Sequence, residues 1–569
     1  MKLSRKSFLA IVMVSATAQL LAAQTPEIDS RNAKADSLTA ALAHSGRAGC
    51  AVRVVRNGAS VYSRNFGLAD IEHGIPISDS TIFDIGSVSK QFTAAVILQL
   101  GNEGKLFMDD PARKYVPELP AYAAPVKIRH LLHHMSGVRD YIDLLPLAGM
   151  QFESVVGPAD ALAMLARQKS LNFAPGAEFA YSNSNYFLLS QVAERVSKKS
   201  MRQLLDERIF KPLALSSAVL WTDHNQIVHN RAASYGPGNS EPLAHVSYNW
   251  ETTGDGAIQM TASDLARWGE ALERRDAALG KDVIEQMEKS GVLNDGTRTT
   301  YGSGMFSTSY RGLPFIWHNG SASGFRADLS RFPAQHVVLA TLCNLGTTTP
   351  WGLDRQLANI FLADEIKAAA SVAANSPGFS PAGAASGASP SLSAARRAQL
   401  AGHYFSDATG LLHTIVDSAD ALKLNGAGPP RPLRLIGNEQ FDATGGLTIT
   451  ITGTGPSMRI DERNAAGIVT RYSRVADATT MTAARAREYE GDYFSGELGT
   501  TWHLRADGNR LMLRTNELLA SSDSLTSDFK DGFGSPIASL RFVRDATGKV
   551  TGTRVWMRGV RGLLLTRQH

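Results

Sequence analysis

Phe83-Asp84-Ile85-Gly86-Ser87-Val88-Ser89-Lys90-Gln91-Phe92-Thr93-Ala94-Ala95-Val96-Ile97 reads as a loop that ends at Gly86 and enters an apolar helix. Ser87 then falls at the helix start and Lys90 on the same side one turn later. A serine hydroxyl attacks poorly at neutral pH unless a base removes its proton. A lysine amine serves as that base when burial keeps it neutral. Ser-x-x-Lys at the start of a buried helix supplies both groups. The pattern occurs again at Ser527-Asp528-Phe529-Lys530, in a Gly/Ser/Asp-rich segment with no apolar helix behind it. Context has to separate the two.

Two further stretches supply what such a nucleophile needs, a proton route to the leaving group and donors for an oxyanion. Tyr181-Ser182-Asn183 lies in a polar turn after Pro175-Gly176-Ala177-Glu178. It precedes a helix marked by Leu188, Val192 and Val196. A phenol beside a lysine can relay protons, and an Asn amide can hold both a lysine and a substrate carbonyl. Lys289-Ser290-Gly291 follows the helical run Val283 to Met287 and reads as a helix C-cap. His318-Asn319-Gly320-Ser321 instead continues the apolar strand Pro314 to Trp317. An edge strand there can donate a backbone N–H to an oxyanion, and Gly320 lets a substrate come close.

Strands bracket this region. Gly49 to Gly67 reads as a hairpin turning at Asn57-Gly58, and Leu313–Trp317, Arg326–Phe332 and residues 336–345 read as later strands, with mostly helical segments between. The expectation is an α+β domain whose first and last strands share an antiparallel sheet flanked by helices. Cys50 and Cys343 are the chain's two cysteines. Both sit in apolar strand-like runs and read as buried thiols acting as small hydrophobes rather than as a bridge.

The chain has 569 residues, 43% hydrophobic and 20% charged, which fits a soluble protein of two or three domains. Its formal charge is +5, of which Lys2, Arg5 and Lys6 account for most, so there is no electrostatic footprint for nucleic acid. Those cations, the apolar run Phe8 to Ala23 and the small Ala22-Ala23 read as a secretory signal, residues 1–23, too short for a membrane span. The protein is therefore expected to be exported, periplasmic or secreted, with no stable membrane span after cleavage. Residues 24–367 form the first domain. Residues 368–392 collapse to Ala, Ser, Gly and Pro and read as a flexible linker. Beyond it Gly402-His403-Tyr404-Phe405-Ser406 recurs as Gly491-Asp492-Tyr493-Phe494-Ser495, and the same offset relates Ala394-Ala395-Arg396 to Ala483-Ala484-Arg485, Gly410 to Gly499 and Leu422 to Leu511. Residues 393–476 and 477–569 are thus two small all-β repeat domains, barrels or sandwiches.

The order Ser87-x-x-Lys90, Tyr181-x-Asn183, His318-x-Gly320 resembles the serine β-lactamase and penicillin-binding-protein superfamily in its class C-like branch, which also holds D-aminopeptidases, D-alanyl-D-alanine carboxypeptidases and esterases. Arg129 to Gly137, Pro212-Leu213, Gly254-Asp255-Gly256 and Asp264 to Trp268 resemble it too. The resemblance covers about residues 30 to 365 and implies the β-lactamase/DD-peptidase fold. It implies that Ser87 attacks an acyl carbonyl, Lys90 takes its proton and Tyr181 passes that proton to the leaving group. Asn183 orients Lys90 and substrate, His318 positions the substrate or the Tyr181 hydroxyl, and the N–H groups of Ser87 and Ser321 form the oxyanion hole. No metal or organic cofactor is implied, and His130, His133 and His134 are read as a structural helix and turn. β-Lactamases of this group carry Lys in the third motif, where a fixed cation holds a substrate carboxylate. His318 is mostly neutral at pH 7. D-aminopeptidase-like relatives resemble the chain in this histidine and in having β-barrel domains after the catalytic one. The expected substrate is a small peptide, amide or ester, D-amino-acid-containing or cell-wall-related, and a homo-oligomer is compatible with this. The alternatives are a β-lactamase, or a penicillin-binding sensor acylated without turnover.

Overall fold

The computed structural model describes residues 30–568 apart from residues 43–45, 152, 239–241, 376–391, 419–420, 427, 444–446, 464–468 and 516–522. The signal segment 1–23 lies outside the described residues. The contacts divide the chain into two units. The first holds the described residues up to Phe107, Leu189–Ser290 and those from Tyr301 to Asn375. The second holds Met108–Leu188, Gly291–Thr300 and the described residues from Leu392 on. The stretch read as one domain over 24–367 therefore contributes to both.

In the first unit β1 (Cys50–Arg56) and β2 (Ala59–Phe66) form the expected hairpin. Asn57 and Gly58 take φ of 52° and 77°, the left-handed pair that a two-residue turn requires. α1 (Ser89–Asn102) follows, preceded by a 3₁₀ turn at Gly86–Val88. In the second unit α2 (Tyr141–Leu147) is followed by the start of α3 (Asn183–Ser197). β3 (Phe306–Tyr310), β4 (Leu313–Ala322), β5 (Phe325–Phe332) and β6 (Val337–Cys343) return to the first unit, followed by α4 (Pro350–Phe361). The sheet has the order β3-β4-β5-β6-β1-β2, antiparallel throughout, so the first and last strands do share one sheet.

β1 sits between β6 and β2 and is buried along almost its whole length, which is why Cys50 to Val55 lacks a polar/apolar alternation, its one charged residue, Arg53, being buried and paired with Asp79. On one face Val52, Val54, Phe315, Phe332 and Leu339 pack against Leu353, Leu357 and Phe361 of α4. The helix Ala262–Glu273 packs against β6, β1 and β5, and its Trp268 stacks on Phe92 of α1 with ring centroids 4.2 Å apart. That contact adds about 1 kcal/mol beyond the area it buries.

Two expectations are corrected. Cys50 and Cys343 form a disulfide. They are directly opposed across the β1–β6 pair, a register that neither apolar run reveals by itself. The stretch read as linker from residue 368 is helical up to Asn375, within the helix Ala363–Asn375. Alanine dominates that part of the composition, and alanine is the strongest helix former.

In the second unit the repeats are two closed eight-stranded barrels, the first running from Gly402–Phe405 to Val469–Val475 and the second from Gly491–Ser495 to Val560–Arg567. A short helix precedes each, Ala394–Leu400 and Ala483–Tyr489. Among the described residues no helix is long and apolar enough to cross a membrane.

Candidate active site

Gly86 has φ of 50°, and a Cβ there would strike the backbone of Ser321. A Cβ on Gly320 would strike the carbonyl of Ile85. Glycine at both positions lets the turn before α1 and strand β4 run backbone against backbone. β4 makes this possible because β3 pairs with it only as far as Trp317. Beyond that residue the outer edge of β4 faces the turn Gly86–Val88. The N–H groups of Ser87 and Ser321 belong to these two adjoining stretches.

Ser87 lies in the 3₁₀ turn and Lys90 in the first turn of α1, with Lys90 Nζ 3.0 Å from Ser87 Oγ. Lys90 is fully buried, and its Nζ donates to the Asp255 carbonyl at 2.7 Å. The loop bearing that carbonyl is itself fastened: Thr93 Oγ1 donates to Gly254 O at 2.8 Å and Ser190 Oγ to Thr253 O at 3.0 Å. Asp84 fixes the approach to the turn, accepting Gly86 N–H at 2.7 Å and the Tyr248 hydroxyl at 2.6 Å. Burial pushes the Asp84 carboxyl above its usual range, and those two hydrogen bonds oppose the shift. No spacing rule marks Asp84, Tyr248 or Asp255 from a distance; each acts on the site through one long-range contact or a single peptide group.

His318 is buried on β4. Its Nδ1 lies 2.6 Å from the Asn319 carbonyl, and its Nε2 3.1 Å from the Tyr301 hydroxyl. Burial lowers its pKa to about 3, while the Asn319 carbonyl acts in the opposite direction. The ring is therefore neutral at pH 7. A neutral imidazole facing a carbonyl must carry its proton on Nδ1, which leaves Nε2 to accept from Tyr301. One strand further in, Asp328 on β5, opposite Asn319, faces Asp354 of α4, both fully buried. Burial raises the pKa of both carboxyls.

Tyr181 and Asn183 belong to the second unit, at the start of α3. The Tyr181 ring lies on the His134 imidazole, centroids 4.2 Å apart. His134 is buried, and its Nδ1 accepts the Ser182 N–H at 3.2 Å and faces Asn185 Nδ2 at 3.0 Å. Within the triple-histidine stretch, His134 thus supports the Tyr181 turn. Asn183 donates twice to Asp140 Oδ2, from its backbone N at 2.9 Å and from Nδ2 at 2.8 Å.

The structure thus brings together Ser87, Lys90, His318, Gly320 and Ser321 in one unit, and Tyr181 with Asn183 in the other. Lys289 caps the helix Lys281–Glu288, as read. Ser527 lies on the barrel strand Asp523–Phe529, with no helix to bring Lys530 round to it. For a cation, Asp223, His224 and Glu251 bring three donor atoms within 4.8 Å among the described residues. His224 Nδ1 is already bonded to Glu251 at 2.7 Å, and Asp223 accepts the Asn225 N–H at 2.8 Å.

A D-aminopeptidase of Gluconobacter oxydans is 27% identical over 320 residues, 56% of this chain and 59% of its own length. A D-aminopeptidase of Brucella anthropi is 30% identical over 285 residues, 49% of this chain and 53% of its own. The chain spans between half and three fifths of the length of these relatives. The octameric penicillin-binding protein homologue from Pyrococcus abyssi superposes with a TM-score of 0.53 at 20% identity, covering 79% of this chain and 99% of that one. That likeness extends the shared fold past the sheet and helices. The Beta-lactamase family profile matches residues 35–363, the span that holds all three motifs, and the chain belongs to that family.

Proposed function

We propose that the protein is an exported serine hydrolase that cleaves a peptide or amide bond next to a D-amino acid through a covalent acyl-enzyme on Ser87. The observation that carries this reading is the Lys90 amine 3.0 Å from the Ser87 hydroxyl and anchored on the Asp255 carbonyl. Lys90 takes the Ser87 proton as the hydroxyl attacks the acyl carbonyl. Tyr181 relays that proton on to the departing amine, so that Lys90 and Tyr181 end the step as they began it, and Asn183 orients Lys90 and the substrate. The N–H groups of Ser87 and Ser321 stabilise the oxyanion. Water then releases the acyl group by the reverse proton path.

The neutral His318 supports the choice of substrate. It offers no fixed cation for a substrate carboxylate, which argues for cleavage at a free amino end or in an ester over β-lactam hydrolysis. The relatives named D-aminopeptidase point the same way. Export is supported by the Cys50–Cys343 disulfide, since such bridges persist in oxidising compartments.

The test is a panel of D- and L-aminoacyl p-nitroanilides, p-nitrophenyl esters, a D-Ala-D-Ala peptide and a cephalosporin, run on the wild type and on Ser87→Ala. D-Aminoacyl anilides should be turned over fastest, and Ser87→Ala should lose at least about 10³-fold in kcat. Retained turnover or fluorophosphonate labelling in Ser87→Ala defeats the assignment. A burst without steady-state product would instead identify a sensor.

A further inference from the structure

Asp140 is buried, and its carboxylate meets three donors. Oδ1 accepts the Ile142 N–H at 3.0 Å and so caps α2. Oδ2 accepts both the backbone N–H and the side-chain Nδ2 of Asn183. This double contact decides which way the Asn183 amide points. Turned over, its carbonyl oxygen would face a carboxylate, two acceptors with no proton between them. Asp140 therefore directs the Nδ2 end of Asn183 to itself and the carbonyl end away.

Asp140 is in turn held by the second barrel, within the same unit. Its N–H donates to Gly559 O at 3.0 Å. Gly559 lies at the tip of the hairpin formed by the strands Val550–Met557 and Val560–Arg567. The Gly559 N–H donates to Asp143 Oδ2 at 2.7 Å, and Arg558 to Asp143 Oδ1 at 2.7 Å. Asn172 closes the other side, donating to Gly559 O at 2.9 Å and accepting the Arg561 N–H at 3.0 Å. A Cβ on Gly559 would collide with Asp140 Cβ and lie 3.0 Å from Asp143 Oδ2, so the grip requires glycine for space.

We propose that Asp140 is a positioning residue that sets the orientation of the Asn183 amide, and that the Arg558–Gly559 tip of the second barrel holds Asp140 in place. The second barrel is then a working part of the enzyme. This rests on the role given above to Asn183, and the experiment separates the two.

Asp140→Ala, the isosteric Asp140→Asn and Gly559→Ala are compared with wild type and Ser87→Ala. Thermal unfolding establishes which are folded at the assay temperature, and the kinetics are read on a D-aminoacyl p-nitroanilide. The expected result is a kcat lower by about 10- to 100-fold with KM within about threefold, together with faster deuterium exchange of the Asn183 and Ser184 amides. Asp140→Asn provides the reading if Asp140→Ala does not fold. Wild-type kcat in folded Asp140 and Gly559 variants, with Ser87→Ala inactive, overturns the proposal and leaves the Ser87 reading intact. If Ser87→Ala proves active, the functional reading fails, and exchange still judges the clamp: unchanged protection at Asn183 in Asp140→Asn and Gly559→Ala overturns it.

Discussion

The two barrels are the same device used twice, and they differ where each meets the rest of the chain. Ser393 and Thr482 cap the leading helices, accepting the Arg396 and Arg485 N–H groups. The Tyr404 hydroxyl donates to Leu400 O at 2.8 Å and Tyr493 to Tyr489 O at 2.7 Å, tying each first strand to its helix. Arg474 and Arg567, from the last strands, donate to Ala401 O and Glu490 O and lie over the rings of Tyr404 and Tyr493. The contacts to the Met108–Leu188 segment, in contrast, come from residues that the first barrel lacks at the matching positions. Trp502 donates from Nε1 to Leu147 O at 2.8 Å; its counterpart His413 stacks on Tyr472 and bonds Glu462 inside its own barrel. Glu497 receives Arg139 at 2.6 Å and the Lys169 N–H at 2.8 Å, where the first barrel has the exposed Ala408. Devices that close a barrel recur in both copies, whereas single residues at a rim decide what each copy touches.

The largest effect expected from breaking this contrast is at Trp502. It is fully buried, and Trp502→Ala should cost about 3–5 kcal/mol in urea unfolding. His413→Ala, which loses one ring contact and one polar pair, should cost about 1–2 kcal/mol. Equal losses would mean that docking adds nothing to the second barrel. Next comes Glu497→Ala, which leaves the buried Arg139 guanidinium without its carboxylate. A loss of about 3 kcal/mol is expected, with a lower Tm, whereas Ala408→Glu in the first barrel should stay within about 0.5 kcal/mol. A neutral Glu497→Ala would show that Gln168 and Ser170, which also bond Arg139, satisfy that charge alone.

How much of this could be read in advance follows the range of each interaction. Ser87 and Lys90 are three residues apart on one helix, so local spacing carries their geometry. The barrels were legible because the Gly-x-Tyr-Phe-Ser repeat holds the tyrosine that ties strand to helix. The Cys50–Cys343 bridge was not, because two apolar runs do not disclose which residues stand opposite once β1 is inserted between β6 and β2. Asp84 meets Tyr248, Asp140 meets Asn183 and the Asp255 backbone carbonyl meets Lys90 across long stretches of chain, and such contacts carry no spacing signal. The alanine-rich stretch after residue 368 misled for a different reason: low complexity suggests coil, while alanine itself favours helix.

The smallest effect sharpens the comparison by asking where the copies should agree. Tyr404 and Tyr493 are both fully buried, and each donates its hydroxyl to the carbonyl four residues before it. Phenylalanine keeps the ring packing and removes the bond to the helix-end carbonyl, together with a weak 3.4 Å contact to Met458 Sδ at Tyr404, so each substitution should cost about 1 kcal/mol. Because the partner in each case is a helix-end carbonyl in the same local frame, the two losses should agree within about 0.5 kcal/mol. Urea unfolding of Tyr404→Phe and Tyr493→Phe provides the comparison. A Tyr493→Phe loss several times larger than that of Tyr404→Phe would mean that the internal frame of the second barrel is strengthened by its docking as well. The copies would then differ in their cores and not only at their rims.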